Sequence, residues 1–120
     1  MGRRYFEAKE RKIGTMESRY DLRCPVARTL DVIGERWTLL ILRDLFKEGA
    51  RKFQDFERSL AGVSPNTLSA RLKDLTERGI IARRFYEEHP PRAEYILTEK
   101  GRTLGPILKA LYEWGQKHAE

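Results

Sequence analysis

The chain is poor in the residues on which catalysis and covalent cross-linking depend. One cysteine in 120 residues rules out an internal disulfide and any paired-cysteine metal site, and it suits a reducing compartment. The two histidines, His89 and His118, provide few imidazole bases, and neither forms a recognisable nucleophile motif with Cys24. There is no glycine-rich phosphate loop, HExxH helix or clustered acidic metal site, so neither an enzyme nor a cofactor is expected. No apolar run approaches the roughly 20 residues needed to span a bilayer, and the basic N-terminal stretch lacks the apolar core of a signal peptide. The expected location is the cytoplasm, with no membrane partner. Internal repeats and low-complexity tracts are missing as well.

What the chain does have is an excess of positive charge. Lys and Arg number 24 against 18 Asp and Glu, a formal net charge of +6, which favours a polyanionic partner through long-range attraction and counterion release. The acidic residues are interspersed, so charge supports a motif and does not replace one. With 120 residues and 40% hydrophobic content, a single domain with a small core is expected.

The motif lies between Phe53 and Thr98. Phe53, Phe56 and Leu60 fall on one helical face, and Ala61-Gly62-Val63 forms a short turn. Ser64 then supplies an N-cap hydroxyl, and Pro65 occupies the first helical position, where its missing N–H costs nothing. Leu68, Leu72 and Leu75 recur at helical spacing, and Gly79 is a stop signal. The opposite face carries Asn66, Ser69, Ala70 and Lys73, with Thr67 and Arg71 on its flanks. Small and polar residues with basic ends suit a helix that enters the major groove, while the helix before it braces the phosphate backbone. Two apolar, β-branched and aromatic segments follow, Ile80 to Tyr86 and Ala93 to Leu97, joined by a turn over Glu88-His89-Pro90-Pro91-Arg92. This reads as a β-wing over residues 80–98 behind a helix-turn-helix over 53–78. Phe85, Tyr86 and Tyr95 are expected as hairpin core positions. Arg92 and His89 at the tip, with Arg83 and Arg84 at the base, are candidates to reach a minor groove or its phosphates.

Further helices frame this head. One runs from Pro25 to Ile33 with Val26, Leu30 and Ile33. Another runs from Trp37 to Phe46, with Leu40, Ile41, Leu45 and Phe46 as core. Thr98 caps a short helix, Gly105-Pro106 bends or restarts it, and a C-terminal helix over 103–118 carries Leu104, Ile107, Leu108, Leu111 and Trp114. So bulky a stripe at a chain end needs a cover, and pairing with the same stripe and the N-terminal helix of a second copy would give a two-fold dimer. Such a dimer places two recognition helices about 34 Å apart, one turn of B-DNA. Residues 1–23, with seven Lys or Arg against four Asp or Glu, read as a charged arm. The expected fold class is α+β, mainly α: a winged helix-turn-helix with a two-stranded β-wing and N- and C-terminal dimerisation helices.

Several separated motifs stand in a telling order: Cys24-Pro25-Val26 with Gly34-Glu35-Arg36-Trp37, then Leu68-Ser69-Ala70-Arg71-Leu72-Lys73-Asp74-Leu75. After them come Tyr86 with Pro91-Arg92-Ala93-Glu94-Tyr95, then Leu97-Thr98-Glu99-Lys100-Gly101, and finally Leu104 with Pro106 and Trp114. Over about Leu22 to His118 the sequence resembles the HxlR-type winged-helix transcriptional regulators, relatives of the MarR group. The resemblance implies a homodimeric bacterial or archaeal regulator of a pseudo-palindromic double-stranded DNA operator. It further implies that the helix from Ser64 to Arg78 reads bases and that the wing at His89 to Arg92 grips the flank.

Cys24 is where chemistry and regulation could meet. It stands at a helix start, next to Arg23 and four residues before Arg28, and in general helix N-termini and nearby cations favour thiolate. A thiolate could be oxidised, alkylated by an electrophile, or bridged to its twin across the dimer; some members of the resembled family use the matching cysteine as such a switch. The other reading is a small structural residue at a helix cap. Two alternatives to an operator-binding regulator switched at Cys24 stay open. One is a winged-helix module for protein interaction or RNA binding. The other adds a small-molecule effector, bound between Trp37, Trp114 and Tyr112 at the dimer seam.

Overall fold

Residues 23–120 are described in the computed structural model, so the expected arm lies, except for Arg23, outside the described residues. The chain divides into two units, Met1–Arg36 and Trp37–Glu120. In the first, helix α1 (Pro25–Ile33) starts where expected, with Cys24 as N-cap and Pro25 in its first turn. It ends as the Gly34 N–H donates to the Leu30 carbonyl at 2.7 Å. Ile33 is buried, whereas Val26 and Leu30 are exposed.

The second unit holds nearly all of helix α2 (Arg36–Glu48), then α3 (Phe53–Ser59) and α4 (Pro65–Glu77), strands β1 (Ile81–Glu88) and β2 (Pro91–Leu97), and helices α5 (Glu99–Arg102) and α6 (Gly105–His118). The buried face of α2 differs from the expected one. Ile41, Leu42 and Leu45 are buried, while Phe46 is 36% exposed. Helical periodicity is the reason: 38, 41, 42 and 45 share one face, and position 46 turns toward its rim. Thr38 and Asp44 are buried beside these residues.

The helix-turn-helix is close to the sequence expectation. Phe56 and Leu60 from the first helix and its end, together with Leu68, Leu72 and Leu75 from the second, are almost fully buried. Each such side chain stabilises the fold by about 1.5–3 kcal/mol relative to leaving it exposed. Gly62 in the intervening turn has φ +92°, a left-handed conformation that a side chain disfavours.

The wing is an antiparallel hairpin in which Ile81 faces Leu97, Arg83 faces Tyr95 and Phe85 faces Ala93. Its turn is tighter than expected, since β1 continues through Glu88 and β2 begins at Pro91. Only His89 and Pro90 lie between the strands, and the bond joining them is cis. The register shifts between Phe85 and Glu87, an irregularity that re-aims side chains. Phe85 and Tyr86, expected as core, are instead exposed. The bulge and the projection of the outer hairpin past the core account for this; Tyr95, nearer the base, is half-buried.

After β2, the Thr98 hydroxyl accepts the Gly101 N–H at 3.0 Å and caps α5. Gly101 is buried with its Cα against the Ile80 carbonyl, so any Cβ there would collide with that backbone oxygen. The chain then restarts as α6 at Gly105, whose neighbour across the fold is the Phe46 ring.

Candidate nucleic-acid interface

The outward face of α4 follows from its inward one. With Leu68, Leu72 and Leu75 buried, Pro65, Asn66, Ser69, Ala70 and Lys73 are exposed, and Thr67 and Arg71 sit half-buried at the edges. The resulting surface is small, polar and basic at one end, without a bulky apolar side chain. The Arg71 Nε is itself buried and donates no hydrogen bond, so the stem of that side chain lies down on the protein. Ser64 is engaged locally: its hydroxyl accepts the Thr67 N–H at 3.1 Å and donates to the Thr67 hydroxyl oxygen at 2.9 Å. It organises the start of the helix that carries the exposed face.

The bracing helix α3 has its own cap. The Lys52 N–H donates to the Asp55 carboxylate at 2.9 Å, and this bond, aided by Arg51, Arg58 and Lys52, holds the Asp55 carboxyl below its usual value of 3.8 despite opposing desolvation. Because the folded value is the lower one, the cap's contribution is complete above the ordinary carboxylate range and is lost as pH falls through the folded value.

The wing's arginines are not equivalent. Arg84 donates twice to Glu94 Oε2, at 2.6 and 3.0 Å, and Glu94 is only 20% exposed. Arg92 pairs with Glu87 at 3.0 Å where both are about half exposed, an arrangement worth about 0–1 kcal/mol. A phosphate could replace Glu87 at little cost, so Arg92 is the more available of the two. Arg83 lies over the Phe85 ring at 5.1 Å, and Lys52 lies over the Tyr86 ring at 5.0 Å. His89 is exposed at the tip. The sequence missed the partners of these arginines and the exposed aromatics, because both depend on strand register.

Cys24 is half-buried at the N-cap of α1, and its Sγ accepts the Ala27 N–H at 3.3 Å. On α6 no residue is buried. Ile107, Leu111, Tyr112 and Trp114 are exposed, while Leu104 and Leu108 are half-covered. An open groove of about 470 Å³ runs along Pro106, Ile107, Ala110, Leu111 and Trp114. Of the three aromatic residues expected to line a pocket at a dimer seam, Trp114 lines this groove, and Trp37 and Tyr112 do not. Among the described residues no helix is long and apolar enough to cross a membrane.

Comparison with known proteins agrees with this geometry. Residues 32–120 match the HxlR-like helix-turn-helix family. The uncharacterized HTH-type transcriptional regulator YdeP of Bacillus subtilis is 36% identical over 113 residues, covering 93% of this chain and 88% of that protein. The redox regulator HypR in its oxidized form is a similar solved structure, with TM-score 0.75 and 38% identity over 81% of this chain and 99% of the other. The reduced form of the transcriptional regulator YodB from B. subtilis has TM-score 0.67 and 30% identity, covering 81% and 95%. The exposed polar face of α4, the hairpin wing and sequence kinship converge: this chain belongs to the HxlR-like helix-turn-helix family and is a transcriptional regulator with a winged helix-turn-helix fold.

Proposed function

We propose that the chain acts as a homodimer on a pseudo-palindromic DNA operator, most simply as a repressor that occludes it. The observation that carries this reading is the solvent-facing surface of α4, where Asn66, Ser69, Ala70 and Lys73 stand clear of a buried leucine stripe. In the proposed complex this face enters the major groove, with Arg71 at a base edge or phosphate. Arg92 and His89 grip the flank, and Arg83 and Arg84 add backbone contacts. A second copy covers the exposed apolar residues of α6, and Val26 and Leu30 of α1 join that interface.

The regulatory part of the proposal concerns Cys24. Its sulfur holds a backbone N–H at the start of α1, so oxidation or alkylation removes that cap and adds bulk at the helix start. Movement of α1 at the dimer interface would change the separation of the two reader helices. Two structurally similar proteins support a thiol signal, since HypR is a redox regulator and YodB has also been solved after diamide treatment.

The test is selection of purified chain on a randomised duplex library, repeated after mild thiol oxidation. An inverted repeat with one-turn half-site spacing supports the dimeric operator reading, and its loss on oxidation in the native chain but not in Cys24→Ser supports the switch. A second reading rests on the exposure of Phe85 and Tyr86 beside Arg83 and Lys52, a surface that suits a protein or RNA partner. Salt-sensitive binding without a sequence motif would favour that role.

A further inference from the structure

Asp44 is a carboxylate in the buried stripe of α2, 3% exposed. A charge so placed costs several kcal/mol unless cations and hydrogen bonds compensate it. Arg43 donates to Oδ1 through Nη2 at 2.9 Å and Nε at 3.3 Å. The Arg51 Nη2 stands 3.6 Å from Oδ2, which takes no hydrogen bond. Arg43 is 47% exposed and Arg51 only 20%, so solvent screens the second pair less.

Arg51 does more than neutralise Asp44. Its N–H donates to the Tyr95 carbonyl at 3.0 Å, and its carbonyl accepts the Tyr95 N–H at 2.7 Å. It is thus a one-residue third strand on the free edge of β2. The same guanidinium donates to the Asp55 carbonyl of α3 at 3.3 Å. One residue therefore ties the buried carboxylate of α2, the backbone of α3 and the strand that carries the wing. Tyr95 also sets its ring 6.2 Å from that of Phe56. A two-stranded hairpin is marginal by itself, and the outer half of this one is exposed. Arg92 lies three residues beyond the bridge, about 10 Å along the strand, so any tilt at Tyr95 is carried to the tip.

We propose that Asp44 and Arg51 are positioning residues for the wing: the ion pair holds Arg51 in place, and the Arg51 backbone bridge sets where β2 leaves the core. The consequence for DNA rests on the operator reading above, whereas the consequence for the wing itself does not. Removing the pair should loosen the wing while leaving the reader helix packed, a result that a general loss of stability would not produce.

The experiment compares the full chain with Asp44→Asn and with the double variant Asp44→Asn/Arg51→Met, which removes both buried charges together should the single variant fold poorly. Amide exchange by NMR reads Tyr95 against Leu72, and Arg92→Ala is added to each background for operator affinity at several salt concentrations. The expected result is that the Tyr95 amide exchanges about tenfold faster while Leu72 is unchanged, and that Arg92→Ala weakens binding and lowers the salt slope only in the native background. Unchanged Tyr95 protection, or equal loss at Tyr95 and Leu72, would overturn the proposal, as would an Arg92→Ala effect of the same size in all backgrounds. If the native chain selects no duplex sequence, the operator reading fails and the exchange comparison still decides the positioning claim.

Discussion

Helices α4 and α6 are nearly equal in length, 13 and 14 residues, and both carry an apolar stripe opposite a polar face, yet the fold uses them in opposite ways. In α4 the stripe is inside, with Leu68, Leu72 and Leu75 at 0–1% exposure. In α6 it is outside, with Leu111 at 49% and Trp114 at 63%. Amphipathic spacing states that a face needs cover but does not say what covers it. The core supplies the cover for α4 and leaves a polar face suited to a groove of DNA. Within its own unit, the apolar stripe of α6 is left open, a face suited to another copy. In the proposed function, α4 therefore serves recognition and α6 serves assembly.

The largest effect is expected at α6. Leu111→Asp is expected to dissociate the dimer and, through lost bivalence, to lower operator affinity by about 10²–10⁴-fold; sedimentation and duplex titration check both. A variant that stayed dimeric would remove α6 from the interface. At α4, Leu72→Ala is expected to cost about 2–5 kcal/mol of folding stability in denaturant titration. Leu111→Ala, measured at concentrations where the chain is monomeric, should change stability within about 0.5 kcal/mol. Equal costs would mean that α6 is packed on its own chain after all.

Smaller effects sharpen the reader half. Arg71→Ala is expected to lose about 1–3 kcal/mol of operator binding and to relax preference at one base position, as read by competition among single-base operator variants. Ser64→Ala removes the hydroxyl that receives the Thr67 N–H and should cost about 1 kcal/mol of stability. Circular dichroism during denaturant unfolding checks it, and no change would mean that another group caps α4.

Much of this was legible wherever local chemistry decides the outcome. Ser64 and Pro65 start α4, three leucines orient it and Gly79 stops it, so its outward residues could be named from the sequence. The wing's strands were legible for the same reason, since Ile80 to Tyr86 and Ala93 to Leu97 are rich in β-branched and aromatic residues. The bulge near Phe85 was not, because it is set by which residue of β2 faces which of β1. That register also chooses Glu94 for Arg84 and Glu87 for Arg92, pairings that alter how free each arginine is. Asp44 gave a faint signal, as a charge three residues after Ile41 on the buried side of α2. Arg51 gave none, since its role appears only when a loop after α2 meets Tyr95.

Hydrogen exchange of the full chain, read by mass spectrometry with and without its selected duplex, tests the opposed roles of α4 and α6 most directly. The account predicts that duplex binding slows exchange in peptides covering 64–78 and 83–93 and leaves 105–118 as protected as in the free dimer. Protection confined to 105–118, with the α4 peptides unchanged, would contradict it.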